Sequence, residues 1–305
     1  MYEFRSFLGL LLLTCLIVGG VAAEDNPAAG LIGAEAAVTS ATRFLQACGL
    51  ALPRKGTPHT SLSNRAGSGW EWRVTWQEPG WGGAYKVIID ARSGQVQSFF
   101  NYAREYEQVK GINRTGKKFY RSREEAENYL KHLAQAIGVP AGAVYWGLDI
   151  VEDKQPGRTD ANPAGRVSIS YVQRPYGYPI LTAHGKEGAA MTVTADPQDG
   201  TVMFVWKAPP VDIEAHMVNF PKDKAVAKAK QVYAEYYRTR TSPHKGTYKG
   251  KVELGYVLPN GKFGGKQYPR QVPVRVRLAW AVYFGEEAVW IDAGDGSVLG
   301  GAILK

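Results

Sequence analysis

The stretch Leu278–Leu299, LAWAVYFGEEAVWIDAGDGSVL, sets the reading of the fold. Upstream of it, and running into it, Val272, Val274, Val276, Leu278, Trp280, Val282 and Phe284 alternate with Arg275 and Arg277. A side-chain period of two marks a β-strand with one apolar face. Ala288-Val289-Trp290 forms a second β-rich run, and Ile291-Asp292-Ala293-Gly294-Asp295-Gly296 follows it as a turn. In such a turn the Asp292 carboxylate accepts backbone N–H bonds two or three residues on, and Gly296 supplies the positive φ that closes the hairpin.

The same pattern occurs twice more, at Ile89-Asp90-Ala91-Arg92-Ser93-Gly94 and Ala195-Asp196-Pro197-Gln198-Asp199-Gly200. Each turn lies between two β-rich runs, so Asp90, Gly94, Asp196, Gly200, Asp292 and Gly296 are read as structural turn residues. Calcium is the competing reading of these acids, but an EF-hand loop needs further ligands and a terminal Glu.

Upstream of each hairpin lies an amphipathic helix. Ala37, Val38, Ala41, Phe44, Leu45 and Cys48 recur at helical spacing before Gly49. Ser122-Arg123-Glu124-Glu125 reads as a capping box opening a helix with the stripe Ala126, Tyr129, Leu130, Leu133, Ala136 and Ile137. A third helix from about Asp223 points Ala225, Ala229, Val232, Tyr233 and Tyr236 inward and its lysines outward. Trp70, Trp72, Val74 and Trp76 share one strand face against Glu71, Arg73 and Thr75, and Val167, Ile169 and Tyr171 do the same in the middle segment. The expected fold is α+β, with three repeated modules (34–101, 120–206 and 222–302), each a helix on a small antiparallel sheet. Residues 102–120 and 207–221 read as linkers, and 152–166 and 239–271 as long loops.

A helix, a Trp-bearing strand and a strand ending in (V/I)-x-(V/I)-Asp-Ala-x-(S/T/D)-Gly-x-(V/I) resembles the PepSY domain. Trp76–Val96 and Leu278–Leu299 carry the resemblance most clearly. The middle copy departs at Pro197, while Arg174-Pro175-Tyr176-Gly177-Tyr178-Pro179-Ile180 looks like a segment of related PepSY-like repeats and thermolysin-type propeptides. The resemblance implies protein binding or restraint of peptidases, without catalysis by the module itself.

Met1–Asp25, MYEFRSFLGLLLLTCLIVGGVAAED, reads as a signal peptide (residues 1–23) cleaved after Ala23, which places the protein in the secreted or cell-envelope compartment. An uncleaved anchor is the alternative. Thr14 stands where a lipoprotein signal has a small residue before Cys15. Beyond that segment Cys48 stands alone, so no internal disulfide forms, and stability rests on a chain that is 45% hydrophobic.

Chemistry is sparse. His59, His132, His184, His216 and His244 are scattered, with no metal-binding spacing. No nucleophile elbow, P-loop or dinucleotide fingerprint occurs, so the expectation is no enzyme, no cofactor and no metal. The net charge of +9 suits contact with an anionic envelope surface, and export argues against nucleic acid. Trp81, Tyr176 and Tyr178 lie in turn-prone segments and are the candidate partner surface. The expected function is binding or restraint of another extracytoplasmic protein, a peptidase among the candidates. The alternatives are a structural protein on anionic cell-wall polymer or membrane, and an unrecognised hydrolase.

Overall fold

The computed structural model describes residues 30–52, 57–65, 69–78, 81–110, 117–151, 165–182, 184, 186–238, 246–265 and 273–304. The signal segment therefore lies outside the described residues. Helix α1 (Ala34–Ala47) buries Ala37, Ala41, Phe44 and Leu45. It stops where Gly49 takes φ +68°, and Leu50 N–H closes back on Leu45 O at 2.9 Å. Strands β1 (His59–Arg65), β2 (Gly69–Glu78), β3 (Trp81–Asp90) and β4 (Val96–Asn101) follow, and α2 (Tyr102–Lys110) continues directly from β4.

Helix α3 (Arg123–Ile137) starts at Ser122, whose Oγ accepts Glu125 N–H at 3.1 Å. The Glu125 carboxylate reaches one residue beyond the expected capping box, to Arg121 N–H at 2.6 Å. Its buried face is Ala126, Leu130, Leu133, Ala134 and Ile137. Tyr129 and Ala136, expected inside, are exposed, because Ala134 takes the inward position. Strands β5 (Ala143–Val151), β6 (Arg166–Gln173), β7 (Ile180–Leu181), β8 (Ala189–Ala195), β9 (Val202–Lys207) and β10 (Val211–Ala215) come next. They precede α4 (Lys222–Arg238), β11 (Tyr248–Val257), β12 (Val274–Phe284), β13 (Glu287–Asp292) and β14 (Val298–Ile303).

The architecture is α+β, with four α-helices and two largely antiparallel sheets among the described residues. The first sheet has eight strands in the order β1-β2-β3-β4-β9-β8-β6-β5. Its seam is the antiparallel pair β4–β9, with Ser98 opposite Trp206 and Phe100 opposite Phe204. Helices α1 and α3 lie on one face and share one core, in which Phe44, Leu45 and Phe99 meet Leu130, Ile169, Met191 and Val205. Residues 34–101 and 120–206 thus form one packed body.

The second sheet runs β14-β13-β12-β11-β7, with β10 parallel to β12. Two of these strands come from outside residues 222–302. β7 pairs with β11 through Tyr256 opposite Ile180, and β10 brings the joining segment onto β12. Helix α4 covers one face, packing Ala225, Ala229 and Tyr233 on Val282, Phe284, Val289 and Ile291.

The described elements exceed the expected ones in number. Strands β1, β5 and β11 add a strand before each Trp- or aromatic-bearing strand. β11 lies inside the stretch expected as loop, and α2 and β10 lie inside the expected linkers. β1, His-Thr-Ser-Leu-Ser-Asn-Arg, is polar except for the exposed Leu62 and is a strand through its ladder to β2, not through its own pattern. The opposite face of the second sheet, which the alternation gives to Arg275 and Arg277, buries Ala279, Ala281, Tyr283, Ala288 and Trp290 together. From Ala279 onward the odd positions of β12 are small or aromatic and buried, while Arg275 near the strand's start stays exposed. Glu71, assigned to a wet face, is also buried, with Arg73 NH2 2.9 Å from its carboxylate.

Candidate partner-binding surface

The three Asp-x-x-x-Gly turns close in the same way. The Asp90, Asp196 and Asp292 N–H groups donate to the carbonyls of Gln95, Thr201 and Ser297, and their own carbonyls accept from Gly94, Gly200 and Gly296. Asp90 Oδ1 accepts Ser93 N–H at 2.6 Å, Asp196 Oδ1 accepts Gln198 N–H at 2.8 Å, and Asp292 Oδ1 accepts Gly294 N–H at 2.7 Å. The glycines take φ of +71°, +77° and +74°, where a side chain is strained.

The second carboxylate oxygen differs among the turns. Asp196 Oδ2 receives Arg104 Nε at 2.8 Å and Gln108 Nε2 at 2.9 Å, both from α2. Asp292 Oδ2 lies 2.7 Å from Arg277 Nε. Asp90 Oδ2 receives Gln97 Nε2 at 3.3 Å. Burial pushes the Asp292 carboxyl above its ordinary range, opposed by the N–H groups of Asp295 and Gly294 and by Arg277. Asp295 is held low, chiefly by the Ser297 N–H. All three carboxylates are buried and bonded into their own turns, so the geometry presents them as braces.

Tyr176 is placed very differently. It sits in the single turn Pro175–Gly177 with φ +51°, is 66% exposed, and stacks on His216 with centroids 4.7 Å apart. Phe263 has the same left-handed conformation, φ +55°, but its ring is only 5% exposed and packs on Tyr233 and Tyr236. Burial offsets the strain at Phe263, whereas nothing comparable offsets it at Tyr176. Strain held without a packing gain is a mark of a functional position. Tyr178, expected on the same surface, turns inward and is half-buried, its ring edge-on to Tyr256 at 6.4 Å. The Trp81 side chain lies outside the described residues.

Two residues absent from the sequence expectation complete the surface. Val144 and Trp146 of β5 are exposed, Trp146 by 58%. The Arg174 guanidinium lies 5.2 Å from the Trp146 ring while its nitrogens reach both Glu187 oxygens at 2.7 Å. Trp146 and Arg174 meet, Tyr176 and His216 stack, and the short turn from Arg174 to Tyr176 joins the two pairs; Met217 and Val218, next along the chain, are also exposed. Among the described strands β5 is the terminal one of its sheet, so one side of its backbone faces away from β6. The signal that could have found Trp146 is weak. A bulge between Tyr145 and Gly147 breaks the alternation there.

Nothing in this band is arranged as a nucleophile with its base. Among the described residues no group of three or more His, Cys, Asp or Glu side chains could hold a metal ion. Burial pushes the Cys48 thiol up to about 12, so it stays protonated at neutral pH. His244 lies outside the described residues.

No family model matches the chain, and no curated protein matches it. Among solved structures, the C-terminal domain of YpeB from Bacillus megaterium is similar at 12% identity and a TM-score of 0.35, covering 90% of this chain and 99% of that one.

Proposed function

We propose that this chain is a non-enzymatic, secreted or cell-envelope protein of three PepSY-like modules that binds or restrains another extracytoplasmic protein. A peptidase is the partner class that the PepSY resemblance implies. The observation that carries the reading is Tyr176, held exposed in a strained conformation two residues after Arg174, which reaches the exposed Trp146 of the outer strand β5. An extended segment of a partner adds to a sheet edge through main-chain bonds, and exposed aromatics anchor it.

Support for a threefold module comes from matched details. Each of the three segments runs helix, strand, strand, then two strands joined by the Asp turn, with β7 inserted in the second. Trp72 Nε1 donates to Ile32 O at 2.9 Å and Trp280 Nε1 donates to Phe220 O at 2.8 Å, each carbonyl lying just ahead of its own helix. The residue after the turn Asp ties down that same lead-in: Ala91 O accepts from Ile32 N–H, Pro197 O from Phe119 N–H and Ala293 O from Phe220 N–H.

The test places a photo-crosslinking amino acid at position 146 or 176 of the full chain and exposes it to the secreted proteins of the producing cell. Any partner is then identified, titrated, and assayed for lost peptidase activity where it has one. The expected result is a discrete adduct absent with the probe at Lys230, and binding at least tenfold weaker for Trp146→Ser and Tyr176→Ser. Equal crosslinking from Lys230, or unchanged affinity in both variants, overturns the assignment of this surface. Retention on cell-wall material that salt abolishes, with no protein partner, replaces the reading with polymer binding.

A further inference from the structure

The face of the eight-stranded sheet turned away from α1 and α3 carries a second, chemically different feature. A cleft of about 490 Å³ is lined there by Phe100, Asn101, Glu105, Asp149, Arg166, Ser168, Ser170, Thr192, Thr194, Met203 and Phe204. Its floor is ordered by strand register. One cross-strand row runs Phe100, Phe204, Thr194, Ser168, Asp149, and in the adjacent row Thr192 stands opposite Ser170. One half of the floor is aromatic, with Phe100 and Phe204 centroids 5.2 Å apart. The other half is hydroxyl.

We infer that this cleft is a binding site for a neutral oligosaccharide. The hydroxyls meet in two pairs, Ser168 with Thr194 at 2.9 Å and Ser170 with Thr192 at 3.3 Å. Within such a pair one hydroxyl donates and the other accepts, so each pair retains a proton and lone pairs for a ligand. A sugar ring has the matching duality, an apolar C–H face for the aromatic half and hydroxyls for the other.

Two observations favour a sugar over other ligands. The cleft lies over interior strands whose backbone groups are committed to their ladders, so a peptide cannot add there as a strand. Its ionic lining is two carboxylates, Glu105 and Asp149, against the Arg166 guanidinium, and the Lys86 ammonium lies 5.5 Å from the centroid of the Phe100 ring. These charges balance, in a chain of net charge +9, which suits a neutral ligand better than an anionic one. The volume falls within the roughly 300–1,000 Å³ of small-ligand sites.

Isothermal titration of the full chain with cellotetraose and with chitotetraose tests the inference. At least one is expected to bind with Kd below about 1 mM, a modest affinity suited to a shallow site. Thr192→Val, which keeps the shape and removes one hydroxyl, and Ser170→Ala are each expected to weaken binding at least threefold, and Phe204→Ala at least tenfold. Lys230→Ser, at an exposed position of α4 on the other sheet, is expected to leave sugar binding unchanged. Absence of heat with both sugars at 5 mM overturns the inference, as does affinity indifferent to both Thr192→Val and Ser170→Ala. Neither result bears on the proposed protein surface.

Discussion

Replacing Arg104 by Met is the sharpest test of how the first sheet is braced. Arg104 leaves α2 to reach Asp196 at 2.8 Å, Asp199 at 2.6 Å and Glu107 at 2.7 Å. The Asp196 side chain is 0% exposed and that of Arg104 11%. Asp199 and Glu107 keep water access, so losing their contacts costs at most about 1 kcal/mol each. Asp196 is different, because a buried carboxylate stripped of its cation loses about 3–5 kcal/mol. Gln108 Nε2 and Gln198 N–H still bond Asp196, which places the expected loss near the lower end, about 3 kcal/mol. Methionine keeps most of the apolar stem of arginine, so lost packing contributes little. Changing Asp196 to Asn as well removes the stranded charge while keeping an acceptor for Gln198, and is expected to recover about 2 kcal/mol. Urea unfolding followed by tryptophan fluorescence and far-UV circular dichroism measures both. A loss below about 0.5 kcal/mol in Arg104→Met, or a double variant no more stable than the single one, refutes the brace.

The contrast between the two left-handed aromatics predicts opposite responses to glycine. Tyr176→Gly relieves strain at an exposed residue and is expected to change stability by less than about 1 kcal/mol, whereas Phe263→Gly empties a buried site and costs more than about 3 kcal/mol, both read by urea unfolding. In a Cys15→Ser background the buried Cys48 thiol, raised to about 12, is expected to resist an aromatic disulfide reagent at pH 8 until urea opens the fold; rapid labelling of the native protein contradicts its burial. Carbon-detected NMR titration is expected to place the Asp292 midpoint above 3.8 and that of Asp295 below it. The folded state then binds the Asp292 proton at a pH where the unfolded chain has lost it. Stability from Asp292 is full below 3.8 and falls as pH rises through the folded value, while that from Asp295 is present above 3.8 and falls as pH drops through its lowered one. A reversed order of the two midpoints refutes the assignment.

Legibility in the sequence followed how local each feature was. The three Asp turns were readable because every bond that closes them spans five residues or fewer. The helix faces were readable from their period, with Tyr129 and Ala136 misplaced because a stripe fixes an arc and not its exact centre. Trp146 was missed because its exposure depends on β5 ending a sheet and on a bulge at that residue. Tyr178 was placed outside because a loop bounded by proline and glycine reads as surface. Its burial comes from Tyr256, far along the chain.

The amino-acid sequence by itself determined the α+β class, the helices α1, α3 and α4, the alternating strands and the three turns, since each rests on side-chain period or on bonds between near neighbours. Tertiary structure alone decided that β4 and β9 fuse two segments into one eight-stranded sheet, and that β7 and β10 lace a second sheet onto it. It also decided which face stays open to carry the hydroxyl and aromatic rows. Strand pairing draws on backbone groups that every residue has, so side-chain patterns mark a strand without naming its neighbour.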